Sequence, residues 1–311
     1  MTGYLVRRLI LGVFVIIGVI TIVFALVRVS GDPASYFVTL DPDKSPEDIQ
    51  REVASVRRGL GLDRPIVIQY AYFIRKAVSG DFGNSFRYHI PATRVVFERI
   101  PLSLLLAGAA AIIGVGVGLP LGVAGALNRR SVIDNAATTF AVLGLTVPQF
   151  WLGIMLIIVF AVKLHLLPAA GSHGWKYLIL PAVTQSFGLM AVVARMGRSG
   201  MLEVLGHDYI RTARAKGLSG RLVVTRHALR NSLISVITVV GSSIPHLIGT
   251  IVVVEVVFAW PGLGMLMMQS VFSRDYPVVI VGVLLMSVLT VSVFIIVDIL
   301  YGVVDPRIRY K

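Results

Sequence analysis

LILGVFVIIGVITIVFALV, residues 9–27, contains fifteen Leu, Ile, Val or Phe and no charge. A helix of about 20 apolar residues crosses the hydrocarbon core of a bilayer, and a run of this composition inserts with several kcal/mol in its favour. The competing reading is a cleaved secretory signal. Its apolar core is shorter, about 7–15 residues, and is followed by a small-x-small cleavage site. No such site follows here, which predicts a retained anchor behind Arg7 and Arg8.

The rest of the chain has the same character. Its 311 residues have a mean hydropathy of +0.84 and are 14% charged, where soluble domains average about 25%. Further apolar runs at about 102–127, 132–162, 178–195, 233–258 and 278–303 predict an all-α polytopic membrane protein with six transmembrane helices. The net charge of +13 is read as membrane topology rather than nucleic-acid binding. Arg7, Arg8, Arg129, Arg130, the stretch 195–230, Arg307, Arg309 and Lys311 all fall on one side, while the short loops opposite hold Lys163, Lys176 and Arg274. Both termini are therefore expected in the cytoplasm, with 30–101 outside; a segment of that length crosses largely regardless of its charge. The organisation read from this is an N-terminal transmembrane helix over 1–29, an external segment with short helices over 30–101, a five-helix core over 102–305 including a cytoplasmic loop at 196–232, and a cytoplasmic tail at 306–311. The absence of cysteine rules out a disulfide framework and a Cys-based metal site.

Within the external segment, Ser45-Pro46-Glu47-Asp48 supplies an N-cap, a proline at the first helical position and a capping-box acid. Ile49, Val53, Val56 and Leu60 follow at helical spacing, with Gly59 near the end. A second helix is expected over Gln69–Val78, with Tyr70, Phe73, Ile74 and Ala77 as its apolar face. These helices read either as lying in the membrane interface or as a docking surface for something arriving from outside. In the second span Gly114, Gly118 and Gly122 recur every four residues, the small-residue stripe that lets helices pack closely. Pro148, Pro181 and Pro245 lie in or beside spans. They read as kinks where a pathway needs broken backbone, or as ordinary tolerated prolines.

Several chemistries are missing. There is no GxxxxGK[ST] loop for a nucleotide, no HExxH and no serine elbow, and the "GVGVG" of the second span follows no strand. No cofactor or metal is expected. Glu255 and Asp298 are the notable acids of the later spans. Both are placed near span ends, where solvation is cheap, which argues against a proton relay.

The most basic stretch is DYIRTARAKGLSGRLVVTRHALRNS, residues 208–232, with Arg211, Arg214, Lys216, Arg221, Arg226 and Arg230 against the single acid Asp208. It reads as a short helix over 208–216, ended by Gly217 in the left-handed conformation, then a second helix capped by Ser219 and running to about Arg230. The charges suit anionic lipid. The small residues Ala213 and Gly217 at the turn suit close approach by another protein.

This stretch resembles the coupling loop of bacterial binding-protein-dependent ABC importer permeases, specifically the dipeptide/oligopeptide branch, whose loop reads Y-x-R-T-A-x-A-K-G-L followed by H-A-L-R-N. The Glu of the general family pattern and its terminal Pro are absent here. Other motifs in the same order carry the resemblance along the chain: SGDPA (30–34), GLDRPIVIQY (61–70), GDFGNSF (80–86), LTVPQFWLG (145–153), LLPAAG (166–171), VEVVFAWPGLG (254–264), RDYPVV (274–279) and DILYGVVDPRIRY (298–310). It implies the type I importer permease fold and the first permease of a pair, in the bacterial inner membrane. It implies as partners a second homologous permease, two cytoplasmic ATPases and an extracytoplasmic solute-binding protein. On this resemblance Asp208, Tyr209, Arg211, Thr212, Ala213, Ala215, Lys216, Gly217 and Leu218 form the face that meets the ATPase. Substrates in the branch include dipeptides, oligopeptides, glutathione, nickel chelates and some sugars. The rival readings are a carrier or channel that needs no ATPase, and a membrane anchor without a pathway.

Overall fold

The computed structural model describes residues 2–29, 45–59 and 62–304. The SGDPA motif, Leu60, Gly61 and the tail beyond Val304 lie outside them. The described residues form helices with no strand, divided into two units: one of 1–100 with 266–291, the other of 101–265 with 292–311.

In the first unit α1 (Thr2–Val29) is the opening span. α2 (Pro46–Gly59) starts as its sequence dictates: Ser45 Oγ accepts from the Asp48 amide at 3.2 Å and donates to the Asp48 carboxylate at 2.8 Å. α3 (Ile66–Ser79) begins three residues before the expected Gln69, directly after Pro65, and ends on Gly80 at φ 72°. Its expected apolar face is the packed one. Phe24 of α1 meets Tyr70 and Phe73 at 5.3 and 5.5 Å between ring centroids, and Thr21 hydrogen-bonds the Tyr70 hydroxyl at 2.6 Å. After the short α4 (Ala92–Phe97) the chain leaves this unit and returns at residue 266. There the buried Asp275 accepts from Ser85 Oγ at 2.5 Å and from the Phe86 and Arg87 amides at 3.1 and 3.4 Å. Two motifs 190 residues apart are thereby locked together.

The second unit is built around α8 (Lys176–Leu205), 61% of whose apolar window is buried, against 22% for the span containing α5 (Ile100–Leu127). Gly114, Gly118 and Gly122 of α5 face it. A Cβ on Gly118 would sit 2.5 Å from the Met190 carbonyl oxygen, and one on Gly122 would collide with that of Ala194. With no Cβ in the way, the two backbones come as close as van der Waals contact permits.

Two expectations are corrected. The third span is not one rod. α6 (Val132–Thr146) and α7 (Gln149–Leu156), which continues as a π-helical segment over Ile157–Lys163, meet at 109°. Pro148 is the cause: its ring forces Val147 out of the helical region, to ψ 124°. The second helix of the basic loop is also not separate. α10 (Gly220–Leu222), a π-helical turn over Val223–Ala228 and α11 (Leu229–Val257) run on as one 38-residue helix. Ser219 has the extended backbone of an N-cap but no capping hydrogen bond from its side chain. Among the described residues, five helices are long and apolar enough to cross a membrane by length and composition, and counting the bent pair as one span makes six. The last two helices are α12 (Leu263–Phe272) and α13 (Tyr276–Val304).

Candidate functional site

The break at Pro148 opens the interior of the second unit. A cavity of about 380 Å³ lies between the α6/α7 elbow, α8 and the middle of α11 beside Pro245. Its polar lining is Gln149, Gln185, Ser243, His246 and Thr250 in otherwise apolar surroundings. Gln185 is fully buried. Its Nε2 donates to the Leu247 carbonyl at 2.8 Å and to Thr250 Oγ1 at 3.1 Å, while its Oε1 has no hydrogen-bond partner. A buried polar atom left unpaired calls for an explanation, and at membrane depth polar side chains facing a cavity mark solute pathways by default. None of these residues was singled out from the sequence. The available signal was five polar residues inside spans near Pro148, Pro181 and Pro245, of which only Pro148 breaks its helix.

Two acids act structurally. Asp134, in the first turn of α6 and not anticipated, takes a two-pronged bond from Arg198 of α8, Nε at 2.5 Å and Nη2 at 2.9 Å, plus the Arg130 amide at 3.0 Å. This paired geometry is the strong form of the ion pair, and it ties the α5–α6 turn to α8. Glu255 corrects the expectation of cheap solvation: it is fully buried. It accepts from Ser103 Oγ at 2.5 Å and the Met265 amide at 3.0 Å, and the carboxylate occupies the place where a Cβ on Gly262 would stand. Trp260 Nε1 donates to the Leu102 carbonyl at 3.0 Å, and the Leu263 amide to Ser103 Oγ at 2.8 Å. The VEVVFAWPGLG motif is thus a closed knot around one carboxylate. Asp298 is half-buried on α13.

In the basic loop, α9 (Asp208–Ala215) is a two-turn helix. Its end is closed by paired bonds, Leu218 amide to Ala213 carbonyl at 3.3 Å and Gly217 amide to Arg214 carbonyl at 3.0 Å. This is the Schellman arrangement, which requires a left-handed residue at Gly217, here φ 77°. Ile210 and Ala213 turn inward, onto Met201 and Val204 of α8 and onto Val223 and Ala228 at the start of the long helix; Leu218 packs at the edge of the same cluster. Ala213 is therefore small for its own chain's packing. Asp208, Tyr209, Arg211, Thr212, Ala215, Lys216 and Gly217 remain exposed. A Cβ on Gly217 would meet nothing within 4 Å. The outer face is basic and low, and the inner face is keyed into two long helices.

The family described as the binding-protein-dependent transport system inner membrane component matches residues 118–310, and its N-terminal counterpart matches 1–107. A glutathione transport system permease protein of Salmonella choleraesuis (strain SC-B67) is 39% identical over 312 residues, covering all of both chains. An oligopeptide transport system permease protein of Bacillus subtilis (strain 168) is 38% identical over 322 residues, again covering all of both. Among solved structures, a chain of the MetNI methionine ABC transporter in inward-facing conformation overlays with a TM-score of 0.55 at 20% identity, covering 69% of this chain and 98% of that one; this likeness concerns the fold alone. Full-length relatives, family matches across both halves and an overlaying permease fold agree: the chain belongs to the inner membrane components of binding-protein-dependent transport systems, the permease subunits of ABC importers.

Proposed function

We propose that this chain pairs with a second, homologous permease, with both termini in the cytoplasm, and passes peptides or peptide-like solutes such as glutathione along the cavity beside Gln185 and His246. A solute-binding protein delivers the solute from outside. Two cytoplasmic ATPases drive the cycle through α9. One observation supports the coupling role above the others: α9 has an exposed face of basic and small residues, and its buried face rests on α8 and the long helix, both of which line the cavity. Displacement of α9 has a packed route to the pathway.

The test is reconstitution of the complete importer in vesicles. Gly217→Val places a β-branched residue at φ 77° and raises the loop surface. ATP-driven uptake should fall about tenfold or more, matching the 1–2 kcal/mol of left-handed strain, while the permease pair stays assembled. Arg221→Ala, one exposed charge among several, should change uptake less than about twofold. Normal uptake by Gly217→Val, or a larger loss with Arg221→Ala, would assign the loop to lipid instead.

A further inference from the structure

The first unit holds a second cleft, of about 370 Å³, which the transport reading does not use. It is framed by the final turn of α1 at Phe24, Val27 and Arg28 and by the first turn of α13 at Tyr276 and Pro277. Both turns are ends of candidate spans, so the cleft sits where hydrocarbon gives way to headgroups. Its third wall, α3, is made for that depth. Ile66, Val67 and Val78 are 62%, 74% and 83% exposed, large apolar side chains that a helix lying in the membrane interface would cover. Tyr72 in the wall adds an interfacial aromatic of the kind enriched at that level.

The charge of the lining is one-sided. Arg28, Arg58, Arg64 and Lys76 all face the cleft, against the single acid Asp81. Asp81 lies 3.8 Å from Lys76. Arg28 stacks over Phe24 at 5.2 Å and Lys76 over Tyr72 at 5.2 Å, so both cations are carried on aromatic rings at the rim of an apolar floor. A soluble anion would use the cations and leave the exposed Ile68 and half-buried Phe73 wet. An anion joined to a hydrocarbon chain uses both.

We propose that this cleft is a binding site for an anionic phospholipid: the phosphate of the headgroup meets Arg58, Arg64 and Lys76, and an acyl chain lies along Ile68 and Phe73. Clusters of basic residues at this depth select anionic lipids. The site shares no lining residue with the cavity beside Gln185 and does not depend on which side of the membrane the first unit faces.

The test uses the full chain in nanodiscs of equal phosphatidylglycerol and phosphatidylcholine, with the lipids that remain bound counted by native mass spectrometry. Wild type should retain phosphatidylglycerol preferentially. The triple variant Arg58→Gln/Arg64→Gln/Lys76→Gln should lose that preference by about a hundredfold, at roughly fivefold per cation. The matched variant Arg51→Gln/Arg75→Gln/Arg94→Gln, exposed residues of the same unit outside the cleft lining and with the same change in net charge, should keep it. Melting of each variant in phosphatidylcholine alone establishes that the fold is intact. Three outcomes would overturn the proposal: equal retention of both lipids by wild type, unchanged preference in the cleft variant, or displacement of the lipid by millimolar inorganic phosphate, which would make the cleft a site for soluble anions.

Discussion

At the scale of single residues, glycines mark where the fold tolerates least. Gly262 exists because the Glu255 carboxylate fills the position of its Cβ. Gly262→Ala must push that buried carboxylate off Ser103 and the Met265 amide, and overpacking of this kind costs about 1–3 kcal/mol. The detergent-solubilised chain should melt several degrees lower, as read by gel filtration after heating, and Gly249→Ala, where a Cβ meets nothing within 4 Å, should melt within about a degree of wild type. An unchanged melt for Gly262→Ala would show that the knot is loose. The left-handed role of Gly217 was legible in the sequence, because a basic helix followed by glycine has few other readings. The burial of Glu255 was not. Position within a span sets depth from the membrane surface but does not reveal that the next ten residues fold back over the side chain.

At the scale of elements, the stripe on α5 separates packing from propensity within one helix. Gly118→Ala drives a methyl group into the Met190 carbonyl, whereas Gly116→Ala points into open space. The first should destabilise the chain by about 1–3 kcal/mol and the second should leave it unchanged or slightly more stable, since alanine is the better helix former. Denaturation in mixed micelles, followed by tryptophan fluorescence, compares the two. Equal effects would mean that α5 and α8 do not approach as closely as described. Spans and the α3 face were readable because apolar periodicity reports burial directly. The break at Pro148 was readable only as a kink, since a proline states that a helix is interrupted but not by what angle. The fusion of the loop's second helix with α11 was hidden by Ser219 and Gly220, which look like a start signal; the structure uses that start for the whole 38-residue helix.

At the scale of the whole molecule, the bias of Lys and Arg in the short loops supports the proposed direction, with both termini in the cytoplasm. The chain has no cysteine, so Ser55→Cys and Ser219→Cys can be compared without background. An impermeant maleimide added to intact cells should label the first and spare the second until the membrane is opened. The reverse pattern would invert the topology. The cavity beside Gln185 was the least legible feature. Gln149, Gln185 and His246 come from three separate helices, and no local pattern announces that the fold brings them together.

The helix from Gly220 to Val257 carries a consequence in time rather than in space. At 1.5 Å per residue it spans about 57 Å, from the turn beneath α9 to beyond His246. A single rigid member of that length has no slack to take up. Under the proposed coupling, the two ends move in one event, and a reporter near the loop and another near His246 should relax with the same rate constant after ATP is added. The π-helical turn at Val223–Ala228 and Pro245 within the helix are the places where the member could yield, so a lag between the two reporters would locate the compliance at one of them.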